Sequence, residues 1–240
     1  MSEEKVIKHT TKAVRIVTDK RLSFQHKIKE VALEIVIIVF AVSITLAFHN
    51  WNDGRHEHKI EVEFLTGIRE DLKTTAERLD GIDKEFQPVV DFYNKADRQI
   101  KTNKIDGAFF DKNSGQLVNT NYFLADNGRF EGFKSSGYIR LINNSQLLKD
   151  LMTLYTVTIP FQEQIDKNLF AQRSADFDRY VGIKGVTDSA GTHISRLISD
   201  PSVKYLITRY VSSLNERKQQ QAALAKDIRQ VIAEIDKELN

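Results

Sequence analysis

The chain has no cysteine, three prolines, 11 glycines and one tryptophan in 240 residues. Without thiols there can be no disulfides, no thiolate nucleophiles and no zinc sites built on cysteine, and cysteine usage gives no guide to compartment. So few glycines and prolines exclude a collagen-like or low-complexity chain. An excess of one sign of charge is lacking as well, with 35 Lys+Arg against 33 Asp+Glu and a formal net charge of +2. That balance argues against a nucleic-acid binder that relies on bulk charge. The sequence also lacks a Gly-x-Ser-x-Gly elbow, a His-Glu-x-x-His helix and a calcium loop. No segment alternates strictly between apolar and polar residues, so the expected fold class is all-α.

One long apolar run is present. Val31 to Phe48 reads VALEIVIIVFAVSITLAF, interrupted only by Glu34, Ser43 and Thr45. As a helix, 18 residues would reach roughly 27 Å against a hydrocarbon core of about 30 Å, so the flanks must arbitrate. Residues 1–30 carry eight Lys/Arg against four acids, and the run is followed by His49, Asn50, Trp51 and Asn52. The basic side should stay cytoplasmic, and the indole of Trp51 suits the far interface as an anchor. A cleaved leader fits less well, because its basic part would be unusually long and cleavage after Ala41-Val42-Ser43 would leave Ile44 to Phe48 on the mature end. A buried core helix also fits less well, since no other stretch of the chain is comparably apolar. The expectation is a single-pass signal anchor over 31–51 in the bacterial inner membrane, with a cytoplasmic tail over 1–30 and a periplasmic domain over 52–240.

From His49 onward the chain holds 27 basic and 28 acidic residues. This part is nearly neutral, and at about 190 residues it is large enough for one core. Leu65, Leu72, Leu79, Phe86, Tyr93 and Ile100 are seven apart, with Ile68, Thr75, Ile82, Val89 and Ala96 three later. The spacing predicts an amphipathic helix over about 53–102, kinked at Pro88. Asp200-Pro201 is a helix start. It opens a helix over about 200–239 whose seam runs Ile207, Tyr210, Leu214, Arg217, Gln221, Leu224, Ile228, Val231, Ile235. Polar residues in the middle of that seam set register or leave room for a local opening. A third helix is expected over about 144–181, capped by Asn144 or Ser145. It would continue through Leu147, Leu148, Leu151, Leu154, Tyr155, Phe161, Ile165, Leu169, Phe177 and Tyr180, kink at Pro160 and end at Gly182 and Gly185. The connection 103–143 is rich in Asn, Gly and aromatics and should pack on the bundle through short helices. Three passes or four antiparallel ones are both open, depending on whether 103–143 recrosses the bundle.

The run Glu34-Ile35-Val36-Ile37-Ile38-Val39 leading to Asn50-Trp51-Asn52-Asp53 resembles the membrane segment of a family of single-pass proteins of unknown function, mostly from Bacteroidetes. Glu63-Phe64-Leu65 with Asp71-Leu72 is similar to that family too, as is Phe133-Lys134-Ser135-Ser136-Gly137 followed by Leu141-Ile142-Asn143-Asn144 and Leu147. The resemblance covers roughly residues 28–160. It departs at Leu33, Phe40 and Val42, where members carry a small-residue pattern. The family has no established activity, so the resemblance transfers no functional residue.

Among single residues Glu34 stands out, because a carboxylate in an apolar helix costs a few kcal/mol unless paired, neutral or hydrated. It is either an ion or proton relay working with a multi-pass partner, or a boundary residue reaching headgroups or pairing with Lys27 or Lys29. His49, His56 and His58 lie near Glu57 and Glu61. On a helix, however, His56 and His58 diverge and only His58 and Glu61 share a face, so no metal site is expected. Gly128 to Ser135 superficially suggests a phosphate loop, but Phe133 stands where glycine must precede the lysine, and a packed turn burying Phe130 and Phe133 is expected instead. No catalytic residue and no cofactor is expected. The expected function is a non-enzymatic, membrane-anchored helical scaffold whose partners are the lipid bilayer and either further copies or a multi-pass membrane protein, with no nucleic acid. The alternative is a sensor or ion-coupled, stator-like subunit acting through Glu34.

Overall fold

The computed structural model describes residues 24–183, 187–189 and 191–240. Most of the expected tail, and Gly185, therefore lie outside the described residues. The chain divides into two compact units after Glu61. Helix α1, Phe24–Thr102, supplies the described part of the first unit and opens the second. Separate helices over 31–51 and from about 53 were expected, yet the helix has no break at Trp51 to Asp53. The reason is local. Residues 49–61 contain one glycine, Gly54, and no proline, so nothing removes a backbone donor or strongly disfavours a helix. In the first unit, Glu34 is the one buried position between Val31 and Phe48. Among the described residues one helix, near the N-terminus, is long and apolar enough to span a membrane.

In the second unit the seam of α1 is buried as the heptads require, from Leu65 and Ile68 through Leu79, Phe86 and Val89 to Tyr93 and Ala96. The helix runs through Pro88. The connection then forms α2, Gly107–Lys112, a 3-10 turn Ser114–Leu117, an extended stretch, α3, Gly128–Ser135, and a second 3-10 turn Tyr138–Leu141. Phe110, Leu117, Phe123, Phe130, Phe133, Leu141 and Ile142 of this connection are buried, whereas Tyr122 and Leu124 are exposed. Phe133 stacks on Phe64 at 3.6 Å and Phe130 on Tyr155 at 4.4 Å between ring centroids. Gly137, at φ +77°, supplies the left-handed residue that ends α3, its N–H donating to the Lys134 carbonyl.

The contacts of this connection fix its direction. Asn121 meets Glu85, the Leu124 carbonyl meets Arg78, Arg129 meets Asp71 and Phe133 meets Phe64. It therefore travels back along α1 as a mostly non-helical pass. The chain next forms α4, Ser145–Thr153, a π-turn Leu154–Thr158, and α5, Ile159–Ile183. A two-residue antiparallel ladder follows, β1 Thr187–Asp188 with β2 Gly191–Thr192, a small exception to the expected absence of strands. A 3-10 turn Ile194–Arg196 leads to α6, Pro201–Leu239. Helix α6 is antiparallel to α1, since Thr208 meets Asp97, Lys218 meets Gln87, Arg229 meets Asp80 and Asp236 meets Arg69. At one end of the unit Asn144 meets Glu238, and further along α6 Tyr210 meets Asp176. Four passes, alternating in direction, thus build the second unit.

The caps follow the sequence. Asn144 accepts from the Gln146 and Leu147 N–H groups, and Asp200 accepts from Ser202 at 2.8 Å with Pro201 in the first turn. All nine expected seam residues of α6 are buried. The third helix differs from expectation. It is not one α-helix over 144–181, and it passes through Gly182 to Ile183. In the π-turn the Ile159 N–H donates to the Leu154 carbonyl, five residues back, just before Pro160, which has no N–H to give. That wider turn holds one extra residue and rotates everything beyond it by about 100°. The face turned inward is Ile159, Gln162, Asp166, Phe170, Arg173 and Phe177, whereas Phe161, expected in the seam, is 61% exposed and Ile165 and Leu169 are half-buried.

Candidate functional site

The rotated face of α5 creates a buried polar layer in the second unit. Asp166 is fully buried, and Arg217 of α6 is 2% exposed. They form a side-on fork, Arg217 Nε to Asp166 Oδ1 at 2.9 Å and Nη2 to Oδ2 at 2.8 Å. Gln162 donates to the same carboxylate at 2.8 Å, one turn back on α5, and the Phe123 N–H donates to it at 2.9 Å. Every carboxylate oxygen is thus engaged, the condition under which a buried charge is tolerated. Gln221 lies at 3.5 Å from Asp166 and is buried beside it.

The layer grips the extended stretch of the connection by its backbone. Arg217 Nη2 donates to the Asn121 carbonyl at 2.9 Å, Arg173 Nη2 to the Asn119 carbonyl, Asp166 takes the Phe123 N–H, and Glu163 takes the Ala125 N–H at 2.7 Å. The bonded residues alternate, 119, 121, 123 and 125, as one edge of an extended chain requires. On the other edge Arg78 of α1 donates to the Leu124 carbonyl at 2.8 Å. Side chains of three helices thus replace the neighbouring strand this segment does not have, and the buried Phe123 ring anchors it.

Arg173 is fully buried against rings, its Cζ 5.0 Å from the Phe170 centroid, 5.6 Å from Phe86 and 5.8 Å from Tyr93. Arg217 lies over Phe86 at 4.4 Å. Burial is the main cause that lowers the Arg173 guanidinium pKa, and the nearby Arg217 charge lowers it further. Burial likewise pushes the Tyr93 hydroxyl above its usual range, and that hydroxyl donates to the Leu117 carbonyl at 3.1 Å.

Sequence reasoning found Arg217 and Gln221 but missed Gln162, Asp166 and Arg173. The available signal was the pair Arg217 and Gln221 itself, because a guanidinium in a seam requires a buried carboxylate opposite. The π-turn hid which acid it was.

The expected single residues fall as follows. Glu34 is 4% exposed and engaged in an interaction, while its neighbours Leu33 and Ile35 are 60% and 54% exposed. Trp51 is exposed, with the Arg55 guanidinium 5.1 Å from its ring. His58 meets Glu61 at 3.3 Å and His49 meets Asp53 at 3.4 Å. Among the described residues no group of three or more His, Asp or Glu is placed to hold a metal ion. Gly128 to Ser135 is helical rather than a loop, with Phe130 and Phe133 buried on separate partners.

A serine, histidine and aspartate also meet. Asp111 accepts from the Ser195 N–H at 2.8 Å and from its hydroxyl at 2.7 Å, with His193 Nδ1 at 3.7 Å. The order is wrong for a nucleophile, since the carboxylate rather than the imidazole sits against the serine. The cluster instead fastens the 3-10 turn 194–196 to α2. Burial pushes the Asp111 carboxyl up, but the two Ser195 hydrogen bonds and His193 outweigh it and hold the group below its usual range. Between α1 and α6 a dent of about 170 Å³ is lined by Asp80, Asp83, Lys218 and Arg229. These charges are paired with one another, Arg229 on Asp80 at 2.8 Å and Lys218 on Asp83 at 3.8 Å.

Bundle and layer together define an all-α protein with one apolar helical segment near its N-terminus. By sequence the chain belongs to a family of unknown function, DUF6090, whose model matches residues 34–177. That stretch includes Glu34, Trp51, Asp166 and Arg173 but not α6. No curated protein and no solved structure matches the chain.

Proposed function

We propose that the protein is a membrane-anchored helical scaffold or assembly subunit. Residues 31–51 cross the bacterial inner membrane, the basic tail lies in the cytoplasm, and the bundle lies in the periplasm. The observation that carries this reading is the exposure of the apolar run. Leu33, Ile35, Val36, Val39, Phe40, Leu46 and Phe48 are each more than half exposed. A stripe of this kind in water is strongly unfavourable, at about 25 cal/mol per Å² of apolar surface, and lipid removes that cost. The basic excess before it and Trp51 after it support the orientation. The bundle, held by buried seams and by the Asp166–Arg217 pair, suits a body that presents surfaces to partners rather than a reaction centre.

The native chain has no cysteine, so a single thiol reports topology cleanly. With Lys167→Cys, on the exposed face of α5, a membrane-impermeant maleimide should label intact spheroplasts as fully as lysed ones. Labelling only after lysis would overturn the orientation. A second reading, a sensor or ion-coupled subunit, is favoured by the burial of Glu34 alone among its apolar neighbours. Glu34→Gln separates the two: a scaffold retains its partners and activity in the cell, whereas a relay keeps its partners and loses activity.

A further inference from the structure

The helix beyond the π-turn has two apolar stripes one residue apart. The inward one is Ile159, Phe170 and Phe177, interrupted by Gln162, Asp166 and Arg173. The second runs from Phe161, 61% exposed, through the half-buried Ile165 to Leu169, which is half-buried and packs on the edge of the core, and Val157, in the π-turn itself, is 59% exposed. Without the π-turn the seam of α4, Leu147, Leu151 and Leu154, continues directly into Phe161, Ile165 and Leu169. We infer that α5 has two registers about its own axis and that the π-turn at Leu154–Thr158 switches between them. Closing that turn to an α-turn rotates α5 by about 100°, so that each residue takes the place of its successor. Phe161 then replaces Gln162, Ile165 replaces Asp166 and Leu169 replaces Phe170.

Two features hold the observed register. Pro160 has no N–H for the Thr156 carbonyl, and its ring crowds that carbonyl, so it favours the open turn. The Asp166 carboxylate pairs with Arg217, and in the other register Arg217 faces Ile165 and loses its partner, a costly state for a buried charge. Rotation also withdraws Asp166, Glu163 and Arg173 from the backbone of residues 119–125, so the change in register and release of that segment are one event. The inference concerns the bundle alone and does not rest on the membrane reading.

Two cysteine reporters test it in the full chain. Gln172→Cys is exposed in the observed register and moves to the buried place of Arg173 in the other, while Gln162→Cys is buried and moves to the half-exposed place of Glu163. In the parent chain maleimide should modify position 172 fast and position 162 slowly. Adding Arg217→Leu removes the charge that selects the observed register. Labelling at 172 should then slow by about tenfold or more while labelling at 162 speeds up by a similar factor. Pro160→Ala should shift both sites in the same directions. Deleting Thr156 together with Pro160→Ala removes the extra residue and makes a continuous α-helix in the observed register, so 172 should stay fast and 162 slow even with Arg217→Leu. The inference is overturned if both sites keep their parent rates in the Arg217→Leu and Pro160→Ala chains. It is equally overturned if both sites gain reactivity together, the pattern of unfolding.

Discussion

Replacing Asp166 by alanine removes the acceptor of four short hydrogen bonds, from Arg217 Nε at 2.9 Å and Nη2 at 2.8 Å, Gln162 at 2.8 Å and the Phe123 N–H at 2.9 Å, and of a longer one from Gln221 at 3.5 Å. What remains is a guanidinium only 2% exposed and a backbone N–H without its acceptor. Breaking a buried ion pair from one side costs about 3–5 kcal/mol, and a buried unpaired N–H about 1–3 kcal/mol. The two overlap because both groups belong to one network, so the loss should be about 4–6 kcal/mol, against a total stability of about 5–15 kcal/mol. With a urea slope of about 2 kcal/mol/M, the unfolding midpoint should fall by about 2–3 M. Far-UV circular dichroism of the full chain in detergent micelles during urea titration reads this directly. The control is Asp80→Ala, which breaks the Arg229 pair, both side chains 53% exposed, and should cost no more than about 1 kcal/mol. Asp166→Leu with Arg217→Leu should recover only part of the loss, because the Phe123 N–H and the Asn121 carbonyl still lack partners. If Asp166→Ala costs no more than Asp80→Ala, the layer does not hold the bundle and the reasoning is wrong.

Three smaller effects follow from single contacts. Gly137→Ala places a side chain at φ +77° with no atom within 4 Å to obstruct it, so the cost is backbone strain of about 1–2 kcal/mol, seen as a lower thermal midpoint. Asp200→Ala removes the acceptor of the Ser202 N–H and should lose about 1 kcal/mol in the same scan, with Asp200→Ser recovering most of it. Asp111 has a folded pKa below the unfolded one, so its stabilisation is complete above the ordinary carboxylate range and lost as pH falls through the folded value. Hydrogen exchange at the Ser195 amide should therefore accelerate relative to the bundle on acidification. In Asp111→Asn that extra acid step should be absent, and its persistence would count against the assignment.

Much of the fold could be read from spacing because heptads report burial directly. The seam of α6 is buried residue by residue, Arg217 and Gln221 included, and that of α1 from Leu65 to Ala96, with Ile100 half-buried, since an uninterrupted α-helix keeps its phase over many turns. Asn144 and Asp200 can be read because each serves a backbone group close to it in sequence. The third helix departs from its expected seam for one reason. A π-turn inserts a residue without any unusual composition, so a helix that kept its phase would put Phe161, Ile165 and Leu169 in the seam and leave Gln162, Asp166 and Arg173 outside it. Pro160 marks the place, but by itself a proline predicts a kink rather than a change of phase. Direction was hidden too. The backward run of residues 103–143 depends on long-range pairs, such as Asn121 with Glu85 and Arg129 with Asp71, that no local pattern encodes.

The most direct test of the membrane reading is extraction of native membranes at alkaline pH with sodium carbonate. Retention of the full chain in the sedimented lipid is the predicted result, because residues 31–48 would be held by the bilayer itself. Quantitative release into the supernatant would contradict it.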